Sequence, residues 1–285
     1  MKRNRANAAL LLLVLGLGTL VWLSERESPK IRLTPLTKLL PEQINSIRIS
    51  NQSGPAISMR REANGWRMIA PYAIEANSAR IERLLEIAGS PVHTQFEIEQ
   101  SDLTEFGLAP AAALLHLERL ELRFGGTDPI DHYRYIAIGN RLHLIKDLFP
   151  HLLLATAESY VSPNILPQDN ELDLIQTPEW RLARSPDAAR LWQLTPAVTG
   201  ISMDRLIEKV DEWKNAQAVK VIKAPAISPD SRVEIRLSGS DTLLAFGILR
   251  HKQGTLVLRE DLGLAYDLPR IETLLSAPTE PTGVP

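Results

Sequence analysis

The chain of 285 residues contains no cysteine, and this absence removes several classes of chemistry at once. Disulfides, thiolate nucleophiles and cysteine-type zinc sites are excluded. A lipoprotein anchor is not expected either, because that modification needs a cysteine just after an apolar segment. The net charge is also small, because 32 basic and 34 acidic residues give a net charge of −2. Without a basic field to hold phosphates, nucleic acid is not expected as a partner.

Motifs for catalysis and cofactor binding are scarce as well. The sequence has no Gly-x-Ser-x-Gly elbow and no phosphate-binding glycine loop. Its six histidines form no His-x-x-x-His pair, and they are His93, His116, His132, His143, His151 and His251. We therefore predict no catalytic, cofactor-binding or metal-binding residues and no cofactor.

The densest polar group in the sequence is Asp128, Asp131 and His132. Two carboxylates and an imidazole can do acid–base work or hold a cation. The group follows Gly125-Gly126, and such turn sequences favour aspartate for its local hydrogen bonds. The turn interpretation is the one we adopt, with a catalytic group as the alternative.

The N-terminus predicts a location. Lys2, Arg3 and Arg5 precede an uncharged apolar run that begins at Ala8 and ends at Leu23. At about 1.5 Å per helical residue, this run is near the short limit for a membrane span. Basic residues before a span favour a cytoplasmic N-terminus, so we expect a single-pass anchor in the lipid bilayer of the bacterial inner membrane, with the bulk of the chain periplasmic. A cleaved signal peptide is the alternative.

The rest of the chain contains one pattern twice. The recurring elements are a tryptophan entering a short strand, a proline ending it and an amphipathic helix: Trp66, Pro71 and the run from Ser78, then Trp192, Pro196 and the run from Ser202. Phe124-Gly125 also returns as Phe246-Gly247 at a nearly constant offset. Such self-similarity indicates an internal duplication. We expect both tryptophans to pack in the core, and stacking on a sugar is the alternative.

The predicted fold class is α+β, with an N-terminal transmembrane helix followed by two tandem copies of an antiparallel-sheet-plus-helix module. The expected boundaries are 1–23 for the cytoplasmic N-terminus and anchor, 24–41 for a tether, 42–165 for copy 1, 166–276 for copy 2 and 277–285 for a disordered tail. One sheet shared by both copies is the alternative to two domains. Within copy 1, we expect a strand over 115–124 that ends in a turn at Gly125-Gly126, and a helix over 148–157.

The ordered set of motifs resembles a known family. The chain has a basic start, one span, a Gly-Trp-x-x-x-x-Pro element before a helix, a Leu-x-x-Phe-Gly-Leu-x-Pro element from Leu103 to Pro110, a Phe-Gly step and the Tyr133-x-Tyr135 strand. In this order, over most of residues 36–275, they resemble the bacterial domain of unknown function 4340. The Phe-Gly-Leu element is missing from copy 2, near 224–229. The resemblance implies a membrane-tethered envelope protein, some of whose relatives are associated with ABC-type transport systems, and it carries over no catalytic residue.

These observations predict a membrane-tethered, non-enzymatic scaffold or accessory protein of a bacterial envelope complex. A membrane or periplasmic protein is the expected partner, and the resemblance implies a link to an ABC-type transport system. The alternatives are a periplasmic module that binds a glycan or another small ligand, and an uncharacterised hydrolase with an unrecognised site.

Overall fold

The computed structural model describes residues 34–168, 170–185, 191–251 and 254–280. The predicted anchor and the first part of the predicted tether lie outside these residues. Among the helices that the described residues form, none has both the length and the apolar character needed to cross a membrane.

Alternating apolar and polar residues build one antiparallel sheet from copy 1. In the first strand, for example, Ile47 and Ile49 are buried while Ser46 and Arg48 are exposed, which is the pattern of a half-buried strand. The strands are β1 (Ser46–Asn51), β2 (Ile57–Glu62), β3 (Gly65–Ala70), β4 (Ile74–Glu75), β5 (Thr94–Glu97), β6 (Ala113–Leu117), β7 (Leu120–Thr127), β8 (Tyr133–Ile138) and β9 (Arg141–Lys146). Their order across the sheet is β4-β3-β2-β1-β6-β7-β8-β9-β5.

Copy 2 forms a second antiparallel sheet with the same order. Its strands are β10 (Leu172–Gln176), β11 (Arg181–Arg184), β12 (Trp192–Thr195), β13 (Lys220–Lys223), β14 (Ser231–Leu237), β15 (Leu243–His251), β16 (Gly254–Arg259) and β17 (Leu264–Asp267). They are arranged β12-β11-β10-β14-β15-β16-β17-β13, so only β4 lacks a counterpart among the described strands. The α+β class is confirmed, and the shared order supports the predicted duplication. The chain forms two sheets, whereas the alternative was one shared sheet.

Each copy has a capped amphipathic helix after its third or fourth strand. The helix α1 (Ser78–Leu85) begins at Asn77, whose side chain accepts a hydrogen bond from the amide of Arg80. A short helix, α2 (Pro150–Leu153), follows β9, and the corresponding helices of copy 2 are α3 (Met203–Lys214) and α4 (Ile271–Leu275). Ser202 caps α3 in the same way as Asn77 caps α1. The predicted apolar stripes are the buried faces of α1 and α3.

One apolar core joins the two copies. It contains the inner-face residues of both sheets together with the buried faces of α1 and α3. The chain from Leu36 onward accordingly forms one compact unit. A linker, residues 161–168, also connects the copies through the backbone: Val161 bridges to Ala76, and Asn164 bridges to Gln217.

A close backbone approach explains the Phe-Gly step that both copies share. In copy 1, the carbonyl oxygen of Phe106 accepts a hydrogen bond from the amide of Gly126 at 2.9 Å. A Cβ atom on Gly125 would lie only 2.3 Å from that oxygen. In copy 2, Pro229 takes this place, since a Cβ on Gly247 would lie 2.8 Å from the Pro229 Cβ. Glycine is therefore needed at both positions so that a covering segment can reach the outer face of the sheet.

The structure corrects three local predictions in copy 1. The strand predicted over 115–124 is divided between β6 and β7, with the turn at Glu118, whose φ is 55°. Gly125-Gly126 is not a turn, because it lies inside β7 at a shift in the register with β8. The helix predicted over 148–157 is only the four residues of α2.

Both ends of the folded unit extend beyond their predicted limits. Leu36 and Thr37, assigned to the tether, are buried, and their amides donate to the carbonyls of Ser90 and Ala88 at 2.8 and 2.9 Å. The predicted disordered tail also begins too early, because Glu280 accepts a hydrogen bond from the amide of Ser202 at 2.6 Å. The remaining residues, 281–285, lie outside the described part.

Candidate functional site

The Asp128 group forms the loop between β7 and β8. The carboxylate of Asp128 accepts hydrogen bonds from the amides of Asp131 at 2.6 Å and Ile130 at 3.2 Å. The backbone carbonyl of Asp128 also accepts from the amide of His132, which has a left-handed φ of 59°. The carboxylate therefore closes its own loop, which is a common role of aspartate in turns.

The neighbours of this loop are also engaged in structural contacts. Arg134 binds both carboxylate oxygens of Asp147, at 2.6 and 2.9 Å, and donates to the carbonyl of Gly125 at 2.6 Å. The ring of Tyr133 stacks on that of His93 with centroids 4.5 Å apart. Within the described ranges, no set of three metal-ligating side chains comes together. The structure thus brings Asp128, Asp131 and His132 into one loop without showing a built reaction centre there.

The two tryptophans occupy matching, buried positions. Trp66 pairs across β2 and β3 with Arg61, and Trp192 pairs across β11 and β12 with Arg184. The guanidinium carbon lies over the indole ring in both cases, at 4.8 and 5.2 Å from its centre. Both side chains are buried, and the cation–π contact covers one face of each indole. The prediction that both pack in the core is confirmed.

A cleft of about 640 Å³ opens between the two copies, and sequence reasoning missed it. Copy 1 contributes the β3–β4 edge, including Arg67 and Glu75. The linker contributes Asn164, and copy 2 contributes the end of β16 and the following turn, including Arg259 and Asp261. The volume lies in the range typical of sites for small molecules. Because the lining comes from segments that are distant in the sequence, no local motif marks it.

An ion pair lies on the copy 2 side of the cleft. Arg259 donates to both carboxylate oxygens of Asp261, at 2.9 and 2.8 Å. This hydrogen bonding lowers the pKa of Asp261. The Arg259 side chain is only 13% exposed, and its guanidinium carbon lies 5.6 Å from the centre of the Phe246 ring. The pair is therefore held in a fixed, partly desolvated position.

Two buried polar atoms, one of them on a residue that lines the cleft, have no hydrogen-bond partner within the described part of the chain. They are Oδ1 of Asn164 and the hydroxyl of Tyr266, a residue with 0% exposure. Burial raises the pKa of Tyr266 to about 12, with Arg259 opposing the change and the carboxylates of Asp261 and Glu75 adding to it.

Comparison of the two sheets shows whether the fold requires polar groups at Arg259 and Tyr266. In copy 1, Phe124 on β7 pairs with Ile136 on β8, and Ile136 pairs with His143 on β9. Ile145 lies two residues after His143 on the same strand. In copy 2, continuing the register by one residue from the Gly247–Leu258 pair puts Arg259 opposite Phe246. Arg259 pairs with Leu264, and Tyr266 lies two residues after Leu264 on β17. Ile136 and Ile145 are both buried core residues. The same fold therefore forms without polar groups at these two positions.

No protein-family model, curated protein or solved structure matches this chain. The resemblance to the domain of unknown function 4340 therefore stays a prediction.

Proposed function

We propose that this chain is a membrane-tethered, non-enzymatic scaffold or accessory protein of a bacterial envelope complex. The observation that carries the proposal is the use of Asp128, the centre of the one candidate catalytic group, to close a loop. Its carboxylate accepts two backbone amides of that loop. An aspartate engaged in this way has a sufficient structural reason to be there.

Exposed apolar side chains near the same loop support a protein partner. Ile130, in the loop before β8, is 81% exposed, and Leu148, just after β9, is 62% exposed. The pairing of Tyr133 with Lys146 puts the start of β8 beside the end of β9, so both side chains belong to one end of the first sheet. Exposed apolar groups of this kind mark interaction sites when they are contiguous.

Tethering makes weak contacts sufficient for such a role. The basic residues and apolar run before the folded unit predict a membrane anchor. An anchor raises the effective concentration of a partner in the same membrane, so association does not need a high intrinsic affinity. An accessory protein that acts through surface contacts is consistent with both features.

The first experiment tests the location. A reporter that works only after export, fused behind Pro285, is expected to be active. A reporter that works only in the cytoplasm is expected to be inactive at the same position. Activity of the cytoplasmic reporter would contradict the proposed topology.

The second experiment separates a scaffold from an enzyme in a strain that lacks the native gene. The variant Asp128→Asn/Asp131→Asn/His132→Asn removes every titratable group of the loop, while asparagine keeps the capping ability and tolerates a left-handed backbone. We expect this variant to restore function, and we expect Ile130→Ser/Leu148→Ser to lose crosslinking to its partner at an unchanged melting temperature. A folded triple variant that fails, beside a normal Ile130/Leu148 variant, would favour a hydrolase.

A further inference from the structure

We propose that β5, an edge strand of the first sheet, pairs antiparallel with β5 of a second molecule of this chain. In this dimer the first sheets of the two molecules continue into each other across a two-fold axis at Phe96. The inference goes beyond the scaffold function and does not depend on it. It rests on the open edge of β5, the side chains that pairing brings together and the contrast with the equivalent edge of copy 2.

The strand β5 has one paired edge and one open edge. It is the last strand in the order of the first sheet, and β9 is its one partner among the strands that the described residues form. All four of its residues, from Thr94 to Glu97, are exposed. An open edge presents unpaired backbone N–H and C=O groups, which are a template for another strand.

The hydrogen bonds to β9 show which backbone groups of β5 are free. The amide of Ile98, just after the strand, donates to the carbonyl of Asn140 at 3.0 Å. Backbone groups of successive residues point to opposite edges of a strand, so those of Phe96 also point to β9 and those of Gln95 and Glu97 point outward. Pairing Gln95 with the partner subunit's Glu97, in both directions, therefore forms four backbone hydrogen bonds around an axis at Phe96.

The two neighbouring two-fold registers are weaker. A register centred on Glu97 puts two carboxylates directly opposite each other, and like charges in that position destabilise a sheet. A register centred on Gln95 puts Glu97 opposite the partner subunit's His93. The amide of His93 already donates to the carbonyl of Leu144 at 2.9 Å. The register centred on Phe96 uses free groups alone.

The side chains in this register complement one another. The two Phe96 rings meet at the axis as a non-hydrogen-bonded pair, the kind whose side chains lie closer. The Phe96 side chain is 41% exposed, and its ring makes an edge contact with that of Phe106, with centroids 6.1 Å apart. Phe106 packs against the small apolar cluster around Leu103 and Leu108, so pairing extends this cluster in each molecule. On the opposite face of the strand, the amide of Gln95 lies opposite a Glu97 carboxylate, a donor with an acceptor.

The equivalent edge of copy 2 is protected from such pairing. Its last strand, β13, begins with Lys220 and ends with Lys223. Lysine on an edge strand opposes pairing with another strand. The segment before β13 is also bound to the linker, because the amide of Ala218 donates to the carbonyl of Pro163 at 2.9 Å. The strand β5 contains no lysine, so the fold that the copies share does not account for its open edge.

The test traps the pair, because a contact of four residues per molecule is small and the dimer is expected to be weak in dilute solution. The native chain has no cysteine, so one introduced cysteine reports one contact. Opposite residues at the axis have Cα atoms about 4.5 Å apart, which is within reach of a disulfide. We expect Phe96→Cys in the full chain, in membranes under mild oxidation, to form a disulfide-linked homodimer.

The matched control is Thr94→Cys, which alters another exposed residue of β5. In the proposed register position 94 lies opposite position 98, about 13 Å along the strand from its own counterpart. Crosslinking should therefore be at least about tenfold slower than at position 96. Adding Gln95→Pro to Phe96→Cys should abolish the crosslink at an unchanged melting temperature, because proline is tolerated where the N–H of an edge strand points to solvent.

Each outcome bears on the inference. A homodimer at position 96, slow crosslinking at position 94 and loss of the crosslink with Gln95→Pro support it. Equal rates at the two positions, no homodimer, a disulfide to a different protein or a crosslink that survives Gln95→Pro would overturn it. The comparison of positions 94 and 96 decides the matter even where the proline lowers the melting temperature. The reporter and complementation experiments test the scaffold function separately.

Discussion

Gly125→Ala is expected to destabilise the protein strongly, although it adds a single methyl group. The new Cβ would lie 2.3 Å from the carbonyl oxygen of Phe106 and 2.9 Å from Cγ of Leu108. The oxygen belongs to the backbone, so it cannot rotate away as a side chain can. It also accepts the hydrogen bond from the amide of Gly126, which holds the covering segment on the sheet.

The expected loss of stability in Gly125→Ala is the sum of two effects of the clash. Overpacking of a well-packed site costs about 1–3 kcal/mol, and loss of the Phe106 hydrogen bond adds about 1 kcal/mol. The total is about 2–4 kcal/mol, a large share of the stability of an ordinary domain. For a unit of this size that corresponds to a fall in melting temperature of about 5–15 °C.

Thermal unfolding of the purified full chain, followed by circular dichroism, measures the effect against two matched variants. In Gly126→Ala the new Cβ meets the Phe106 oxygen at 3.6 Å, an ordinary contact, so we expect little change. In Gly247→Ala it meets Cβ and Cγ of the Pro229 ring at 2.8 and 2.9 Å, so we expect an intermediate loss. Equal melting temperatures for Gly125→Ala and Gly126→Ala would refute the close-approach argument.

Three further predictions concern single side chains. Trp66→Ala and Trp192→Ala should each cost about 3–5 kcal/mol in denaturant unfolding, because both are buried; an unchanged midpoint would contradict this. Tyr160→Phe should cost about 1 kcal/mol because it loses a hydrogen bond, whereas Tyr266→Phe should be neutral or stabilising; the reverse order would show that the Tyr266 hydroxyl has a partner. The backbone amides of Asn45 and Ser46, at the start of β1, donate to the Glu118 carboxylate and lower its pKa. The stability that this carboxylate contributes is therefore present above the pKa that it has in the unfolded chain, and it is lost as the pH falls. Glu118→Gln should therefore unfold more easily at pH 7, with the difference shrinking below about pH 4, and a difference that does not change with pH would exclude this cause.

The regular parts of the fold could be predicted because their signals are local. Period-two alternation marks strands such as β1, and the apolar stripes of α1 and α3 identify their buried faces. The repeated Trp and Phe-Gly steps indicated two copies before the strand orders could be compared. These patterns follow from the geometry of single elements, so the sequence alone contains them.

The errors arose where a distant segment determines the conformation. Gly125-Gly126 looks like a turn, because glycine pairs are strong turn signals. In the structure the glycine is needed because Phe106, from the covering segment, approaches the strand. Leu36 and Thr37 likewise looked like tether, and their burial depends on contacts with Ser90 and Ala88. No local pattern reports such contacts.

The candidate site was missed for a related reason, and the duplication suggests how such sites can be found. Sequence reasoning searched for dense polar groups and found Asp128, whose density reflects a loop that closes on itself. Arg259 and Tyr266 are isolated in the sequence, and neither forms a motif. They become conspicuous only when β16 and β17 are superposed by register on β8 and β9, where isoleucines stand in their place.

In a duplicated fold, each copy shows which residue types the other could have at equivalent positions. Positions that are apolar in both copies, such as Phe124 and Phe246, are explained by the core that the copies share. Positions that are apolar in one copy and polar in the other cannot be explained by that shared requirement. Arg259 and Tyr266 are such positions, and Arg259 lines the 640 Å³ cleft between the copies. For this reason the differences between the copies, more than their similarities, identify residues that the shared fold does not require.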